Sequence, residues 1–219
     1  PPVRPALPRR AFAAGVAAPT DARRARYDAA NKRLVVGGTT SQVMTADAPT
    51  WDLFVQLKAY AKDQYMRGLK GNGGEETYHA FLTPQAMMRL KLDPLFMQNV
   101  RSAQVRSGSN PLFTGSSVMI DGIIFHEYRN VYNTAGAAAG QKWGASGNVD
   151  GCQILFCGAQ ALAMADLGNP DWTEKEFDYD NQIGIATAKI LGFLKPQFNS
   201  MYSNNTKQDF GVISVYTAQ

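Results

Sequence analysis

The sequence has few of the side chains that enzymes use for chemistry. Its 219 residues include two histidines and two cysteines. Neither His79 nor His126 occurs in an HExxH motif or a comparable spacing, and there is no GxSxG elbow, phosphate-binding glycine-rich loop or zinc-type cysteine set. The sequence therefore predicts no catalytic residues, no cofactor site and no metal site.

Long apolar runs are also missing. No segment approaches eighteen consecutive apolar residues, so the sequence predicts no membrane-spanning helix. The N-terminus lacks a signal-peptide pattern and starts at Pro1 rather than Met, and we expect that residues upstream were removed or left out. With 45% hydrophobic and 18% charged residues, the composition is that of a globular protein of one large domain or two small ones.

The two cysteines, Cys152 and Cys157, lie five residues apart in an apolar run typical of a strand. An odd separation on a strand places them on opposite faces, so we expect neither a disulfide nor a shared metal ion. Buried reduced thiols are the prediction, which suits a reducing compartment.

The net charge of +4 is unevenly distributed. Residues 1–33 hold eight basic and two acidic side chains, or +6, so the remaining 186 residues carry −2. This basic, proline-rich segment has no apolar periodicity, which predicts an extended arm. Its partner is either nucleic acid, attracted by charge alone, or an acidic surface on a neighbouring subunit. The second is favoured because no aromatic side chains are interleaved for base stacking. The candidate contact residues are Arg9, Arg10, Arg23, Arg24 and Arg26.

An acidic ridge is predicted in residues 172–198. Glu174, Glu176, Asp178 and Asp180 share one face of an alternating pattern. Alternate strand residues lie about 6.5–7 Å apart, which is too far for one cation without ligands from loops. We interpret the four carboxylates as a solvated or inter-subunit ridge and not as a metal site.

The periodicity predicts both helices and strands. The clearest element is a hairpin in which Asp121-Gly122 joins two apolar strands, 118–120 and 123–125. His126 and Glu127 end the second strand with their side chains on opposite faces, so they cannot act as a pair. The other predicted elements are an amphipathic helix from an Asp47 N-cap to Gly68, a helix capped by Thr83, a helical piece at 95–103, strands at 32–36, 77–82, 152–158, 183–191 and 210–216, a short helix or strand at 159–167, and loops at 101–110 and 133–151.

Three blocks of the sequence resemble a known family. They are YHAFLTPQAMMRL (78–90), NPLFTGSSVMIDGIIFHEYRNV (110–131) and DFGVISVYTA (209–218). They are similar to tailed-phage major capsid proteins, specifically those of short-tailed phages related to coliphage N-four, and the resemblance covers residues 46–219.

The resemblance implies the α+β fold shared by tailed-phage capsids, encapsulins and the herpesvirus capsid floor. In this fold a spine helix and a peripheral β-sheet domain carry an inserted axial domain. On this sequence the resemblance implies a spine helix at 47–70, a peripheral domain at 46–77 and 169–219, and an axial domain at 78–168. Residues 1–45 would be a basic N-terminal arm, or a remnant of the extended hairpin loop that precedes the spine helix in the family.

The implied function is structural and not enzymatic. Copies of the chain would form pentamers and hexamers of an icosahedral virion shell around packaged double-stranded DNA, assembled in the host bacterial cytoplasm. Further partners would be portal, scaffolding or decoration proteins, with no membrane and no cofactor. The arm would lie over the acidic ridge of an adjacent subunit. The alternatives are an encapsulin-like cargo compartment, a small hydrolase using His126, and a nucleic-acid-binding protein that relies on the arm.

Overall fold

The fold is described from a computed structural model that covers residues 19–71, 74–103, 118–177, 179, 181–201 and 205–219. Its helices are α1 (Trp51–Asp63), α2 (Pro84–Leu92) and α3 (Pro94–Ala103). Within these ranges no helix is long and apolar enough to cross a membrane. The strands are β1 (Arg24–Asp28), β2 (Arg33–Val36), β3 (Leu69–Lys70), β4 (Glu76–Leu82), β5 (Val118–Ile120), β6 (Ile123–Glu127), β7 (Gly151–Cys157), β8 (Ala163–Asp166), β9 (Asp171–Phe177), β10 (Gln182–Ala188), β11 (Leu191–Leu194), β12 (Gln197–Asn199), β13 (Lys207–Asp209) and β14 (Val212–Ala218).

Eight strands form one mixed sheet in the order β2-β1-β14-β7-β4-β6-β5, with β3 also paired to β4. The pairs β1–β14 and β4–β6 are parallel, and the others are antiparallel. β7 is central and is buried along nearly its whole length. The sheet therefore joins segments from the beginning, middle and end of the chain, and it crosses both borders of the expected axial domain. The domain division itself stays a prediction.

The main core lies between the helices and one face of this sheet. Leu53, Phe54 and Leu57 of α1 are fully buried, as the amphipathic pattern predicted. The Phe54 ring meets the Phe125 ring of β6 edge to face, with centroids 4.9 Å apart. Phe96 of α3 contacts the same Phe125 ring at 5.5 Å. Such edge-to-face pairs fix the approach of the helices to the sheet in addition to burying apolar area.

The predicted first helix was too long at both ends. The helix in the structure begins at Trp51, and Asp47 does not cap it. The Asp47 carboxylate instead accepts hydrogen bonds from the amides of Ala29 and Met44. At the other end Tyr65 has a φ of 55°, and the amide of Met66 bonds back to the carbonyl of Ala61. This is a Schellman-type ending, with tyrosine where glycine is usual.

The predicted 118–125 hairpin is confirmed. β5 and β6 pair antiparallel, and Asp121 and Gly122 both have positive φ, at 50° and 69°. The Lys58 ammonium of α1 lies 2.6 Å from the Asp121 carboxylate. The strands at 32–36, 77–82 and 152–158 are also confirmed to within a residue, as is the Thr83 cap, whose hydroxyl accepts from the amide of Ala86.

The C-terminal third differs from the prediction in three places. The long strand predicted from Trp172 through Leu191 is three strands: β9 and β10 pair with each other as a hairpin, and β11 pairs with β8. Residues 163–166 form a separate strand after a turn, in which Gln160 has a φ of 60°. The last strand begins at Val212 and not at Phe210. Most of the predicted 101–110 loop lies outside the described residues.

Candidate functional site

Residues 163–194 form a long antiparallel ribbon that stands apart from the main sheet. β8 pairs with β11, β9 pairs with β10, and neither pair joins the eight-stranded sheet. Every residue of β8 and β9 is exposed. Exposed apolar area of this extent is unusual on an isolated soluble subunit and marks an interaction surface. The exposed large apolar side chains from Leu162 to Phe198 are Leu162, Met164, Leu167, Trp172, Phe177, Tyr179, Ile183, Ile185, Ile190, Phe193, Leu194 and Phe198.

One face of the ribbon combines acidic and apolar side chains. Glu176 lies directly across from Ile183, and Glu174 across from Ile185. The indole NH of Trp172 donates to a Glu174 carboxylate oxygen at 2.6 Å. We call these five residues the acidic–apolar face. It has the mixed character of a protein-binding surface, because its two carboxylates are spread along an apolar strip.

Half of the predicted acidic ridge lies on this face. Glu174 and Glu176 are exposed on β9, whereas Asp178 and Asp180 lie outside the described residues. In the part of the chain that the structure describes, no group of three or more His, Cys, Asp or Glu side chains is placed to hold a metal ion. The inter-subunit role assigned to the ridge stays a prediction.

The base of the ribbon is held by a buried ionic cluster. The Asp209 carboxylate lies 2.8 Å from the Lys195 ammonium, and both side chains are nearly inaccessible to solvent. The same carboxylate accepts hydrogen bonds from the Gln197 side chain at 2.8 Å and from the amide of Thr20 at 3.0 Å. These contacts tie the segment after β11 to the start of the described chain. The cluster therefore holds the base of the ribbon against the segment that precedes β1.

The described arginines of the basic segment belong to this chain's own fold. Arg23 is 4% exposed and donates to the carbonyl of Gln64. Burial lowers the pKa of Arg23, while the charges of Tyr60 and Asp209 act in the opposite direction.

The other two described arginines among the candidate contact residues lie on β1 and form ion pairs within the chain. Arg24 lies 2.7 Å from the Asp21 carboxylate, and Arg26 lies 3.4 Å from Asp47. Residues 24–28 form an interior strand of the main sheet, where an extended arm was expected. Arg9 and Arg10 lie outside the described residues.

A histidine pair was missed by the sequence analysis. The His79 Nδ1 atom lies 2.8 Å from the His126 Nε2 atom, and the two rings are nearly parallel. Phe81 stacks on His126 at 4.9 Å. Parallel pairing of β4 with β6 brings these residues together across 47 positions, and no local spacing signals such a contact. Burial, and secondly the charge of His79, lower the pKa of His126.

The two cysteines are free, as predicted. Cys152 is buried in the main core, whereas Cys157 is only partly buried and lies at the end of β7 across from His79. Burial raises the pKa of Cys157 to about 12 and also raises that of Cys152. Both thiols are therefore protonated at neutral pH and poorly suited to nucleophilic chemistry.

The architecture is that of tailed-phage capsid proteins, as the resemblance implied. The chain superposes on the capsid of Ralstonia phage GP4 with a TM-score of 0.64 and 22% identity, over 91% of this chain and 53% of that one. It superposes on the cyanophage Pam1 capsid with a TM-score of 0.63 and 19% identity, over 90% of this chain and 54% of that one. At such low identities these similarities establish the α+β fold alone.

Sequence comparison identifies the family to which the chain belongs. Residues 9–219 match the family model described as "Phage capsid protein". Over 212 residues the chain is 60% identical to the major capsid protein of Pseudomonas phage KPP25. The chain therefore belongs to the phage capsid protein family. The match covers 97% of this chain and 56% of that relative, so the chain spans little more than half of the relative's length. The comparisons favour the capsid interpretation over the encapsulin-like and hydrolase alternatives.

Proposed function

We propose that this chain is part of a major capsid protein, a structural subunit that assembles with copies of itself into a virion shell. The main evidence for the proposal is that nearly the whole chain matches the phage capsid protein family. The exposed ribbon supports it. Burying apolar surface contributes about 25 cal/mol per Å², so a ribbon with many exposed apolar side chains gains free energy when a neighbouring subunit covers it.

The finer features of the proposal follow the family resemblance. The shell is icosahedral, built of pentamers and hexamers, and it encloses double-stranded DNA, with portal, scaffolding or decoration proteins as further partners. Assembly takes place in the host bacterial cytoplasm. Within the family, the affiliation we propose is with the short-tailed phages related to coliphage N-four. The division into a peripheral and an axial domain belongs to the same proposal.

The predicted contact residues differ in how well the structure supports them as inter-subunit contacts. Glu174 and Glu176 are supported as inter-subunit contacts by their exposure, and Asp178 and Asp180 continue the same segment. Among the arginines, Arg23, Arg24 and Arg26 already have acceptors or ion-pair partners within the chain. The arm contact therefore depends mainly on Arg9 and Arg10.

Electron microscopy and sedimentation of the purified full-length protein test the proposed function. We expect uniform polyhedral shells or isolated capsomers. A monodisperse monomer under all assembly conditions would contradict the proposal. Replacing Ile183 and Ile185 by serine should lower the yield of shells without lowering the subunit's melting temperature, because both side chains are exposed. Ala186→Ser, next to Ile185 on the opposite ribbon face, is the matched control and should assemble like the wild type.

The arm contact has its own test. Reversing the charges of Arg9 and Arg10 should weaken assembly and reduce its dependence on salt, since a Debye length of about 10 Å at 0.1 M screens exposed charges. Unchanged assembly and unchanged salt dependence would remove the arm from the proposed contact, and shell formation by itself would still stand.

A further inference from the structure

The outward side of α2 is a further exposed, partly apolar surface of the described chain. Gln85, Met88, Arg89 and Leu92 follow the spacing of one helix face and are all exposed. The opposite face, with Ala86, Met87 and Leu90, is buried in the core. Leu92 is 69% exposed, and Met88 is 46% exposed. We call Met88, Arg89 and Leu92 the α2 stripe.

The α2 stripe and the acidic–apolar face of the ribbon are complementary in charge. The stripe has two apolar side chains with Arg89 between them. Lys91 lies exposed at its flank, 3.9 Å from the Glu127 carboxylate. The ribbon face has two isoleucines, each directly opposite a glutamate. Opposite potentials on two surfaces favour their association and fix its register.

The two surfaces also agree in spacing. Met88 and Leu92 are four residues apart on a helix, a rise of about 6 Å. Ile183 and Ile185 are two residues apart on a strand, about 6.5–7 Å. Two apolar contacts can therefore form side by side, while Glu174 or Glu176 reaches the guanidinium of Arg89.

We infer that the acidic–apolar face of the ribbon docks on the α2 stripe of a second copy of this chain. The inference rests on the proposed function and names the partner surface for the ribbon. Arg23, Arg24 and Arg26 are engaged within their own chain, whereas Arg89 lies exposed between the two apolar side chains of the α2 stripe. The stripe therefore offers the glutamates a positive charge that is flanked by apolar contacts.

A charge-swap experiment on the full-length protein tests this docking. The variant Glu174→Lys/Glu176→Lys should give at least about tenfold fewer shells, because a like-charge contact with Arg89 costs more than the roughly 1.4 kcal/mol that a factor of ten represents. Adding Arg89→Glu/Lys91→Glu to the same chain should restore assembly. Thr173→Lys, which adds a positive charge to the opposite face of β9, is the matched control and should assemble like the wild type.

The outcomes separate the docking from the proposed function. Wild-type shells together with normal assembly of the Glu174→Lys/Glu176→Lys variant would overturn the docking and leave the capsid function intact. Loss of assembly that the α2 substitutions do not restore would also overturn it. If the wild-type protein forms no shells, the proposed function fails, and the docking fails with it. Unchanged melting temperatures of the dissociated subunits show that the exposed substitutions do not act through folding.

Discussion

Asp209 offers the sharpest test of how the ribbon is held. Replacing it by asparagine keeps the shape of the side chain and removes the negative charge that two buried cations face. Lys195 lies 2.8 Å from the carboxylate, with side-chain exposures of 10% for Lys195 and 1% for Asp209. The charge of Asp209 also raises the pKa of Arg23, against the larger effect of burial. The substitution therefore leaves two positive charges in a poorly solvated site.

The size of the effect follows from this burial. Removing one partner of a buried ion pair costs about 3–5 kcal/mol. Asparagine keeps one oxygen as an acceptor for the amide of Thr20 or the side chain of Gln197, so we expect about 3 kcal/mol. For a protein of roughly this size each kcal/mol lowers the melting temperature by about 2–4 °C. Asp209→Asn should therefore lower it by about 6–12 °C.

The assay is calorimetry or circular dichroism of dissociated full-length subunits at pH 7. Asp166→Asn is the matched control, because the Asp166–Lys189 pair has the same 2.8 Å distance but side-chain exposures of 36–39%. Water screens such a pair, and its loss should leave the melting temperature unchanged within error. If Asp209→Asn lowers the melting temperature no more than Asp166→Asn does, the buried cluster does not hold the ribbon as we argue.

Three further predictions concern the turn, the histidines and the thiols. In a urea titration, Gly122→Ala should lower the free energy of unfolding by about 1–2 kcal/mol, because φ is +69° at this position. Gly192→Ala in the exposed β11 should leave the free energy of unfolding unchanged. Because the pKa of His126 is lowered in the folded protein, the unfolded chain binds more protons than the folded one below about pH 6.5. The melting temperature should therefore fall as pH decreases through that value. His126→Gln should make the melting temperature less dependent on pH. With its pKa near 12, Cys157 should react with iodoacetamide at pH 8 at least about a thousandfold more slowly in the native protein than in urea, and comparable rates would contradict its burial.

The candidate site could be predicted from the sequence only in part. Alternation in residues 172–177 correctly placed Glu174 and Glu176 on one face of a strand. It could not show that the facing strand supplies Ile183 and Ile185, because cross-strand register depends on the turn between them. Nor could charge counting show that Arg24 and Arg26 lie in an interior strand, since the segment before them is rich in proline and alanine and gives no strand pattern.

The sequence by itself determined the features that depend on neighbouring residues. Asp121-Gly122 forms its turn because both positions tolerate positive φ, and Thr83-Pro84 starts α2 because a hydroxyl acceptor and a preset φ suit a helix N-terminus. Sequence similarity determined the family. These features need no knowledge of what lies across the fold.

Only the tertiary structure decided the features that join distant residues. The amide of Trp51 at the start of α1 donates to Asp93, 42 residues away, and so Asp47 is free to bind the β1–β2 turn instead. Parallel pairing of β4 and β6 alone brings His79 to His126. Partners so far apart in sequence leave no local pattern, because their proximity depends on how the strands order themselves in the sheet.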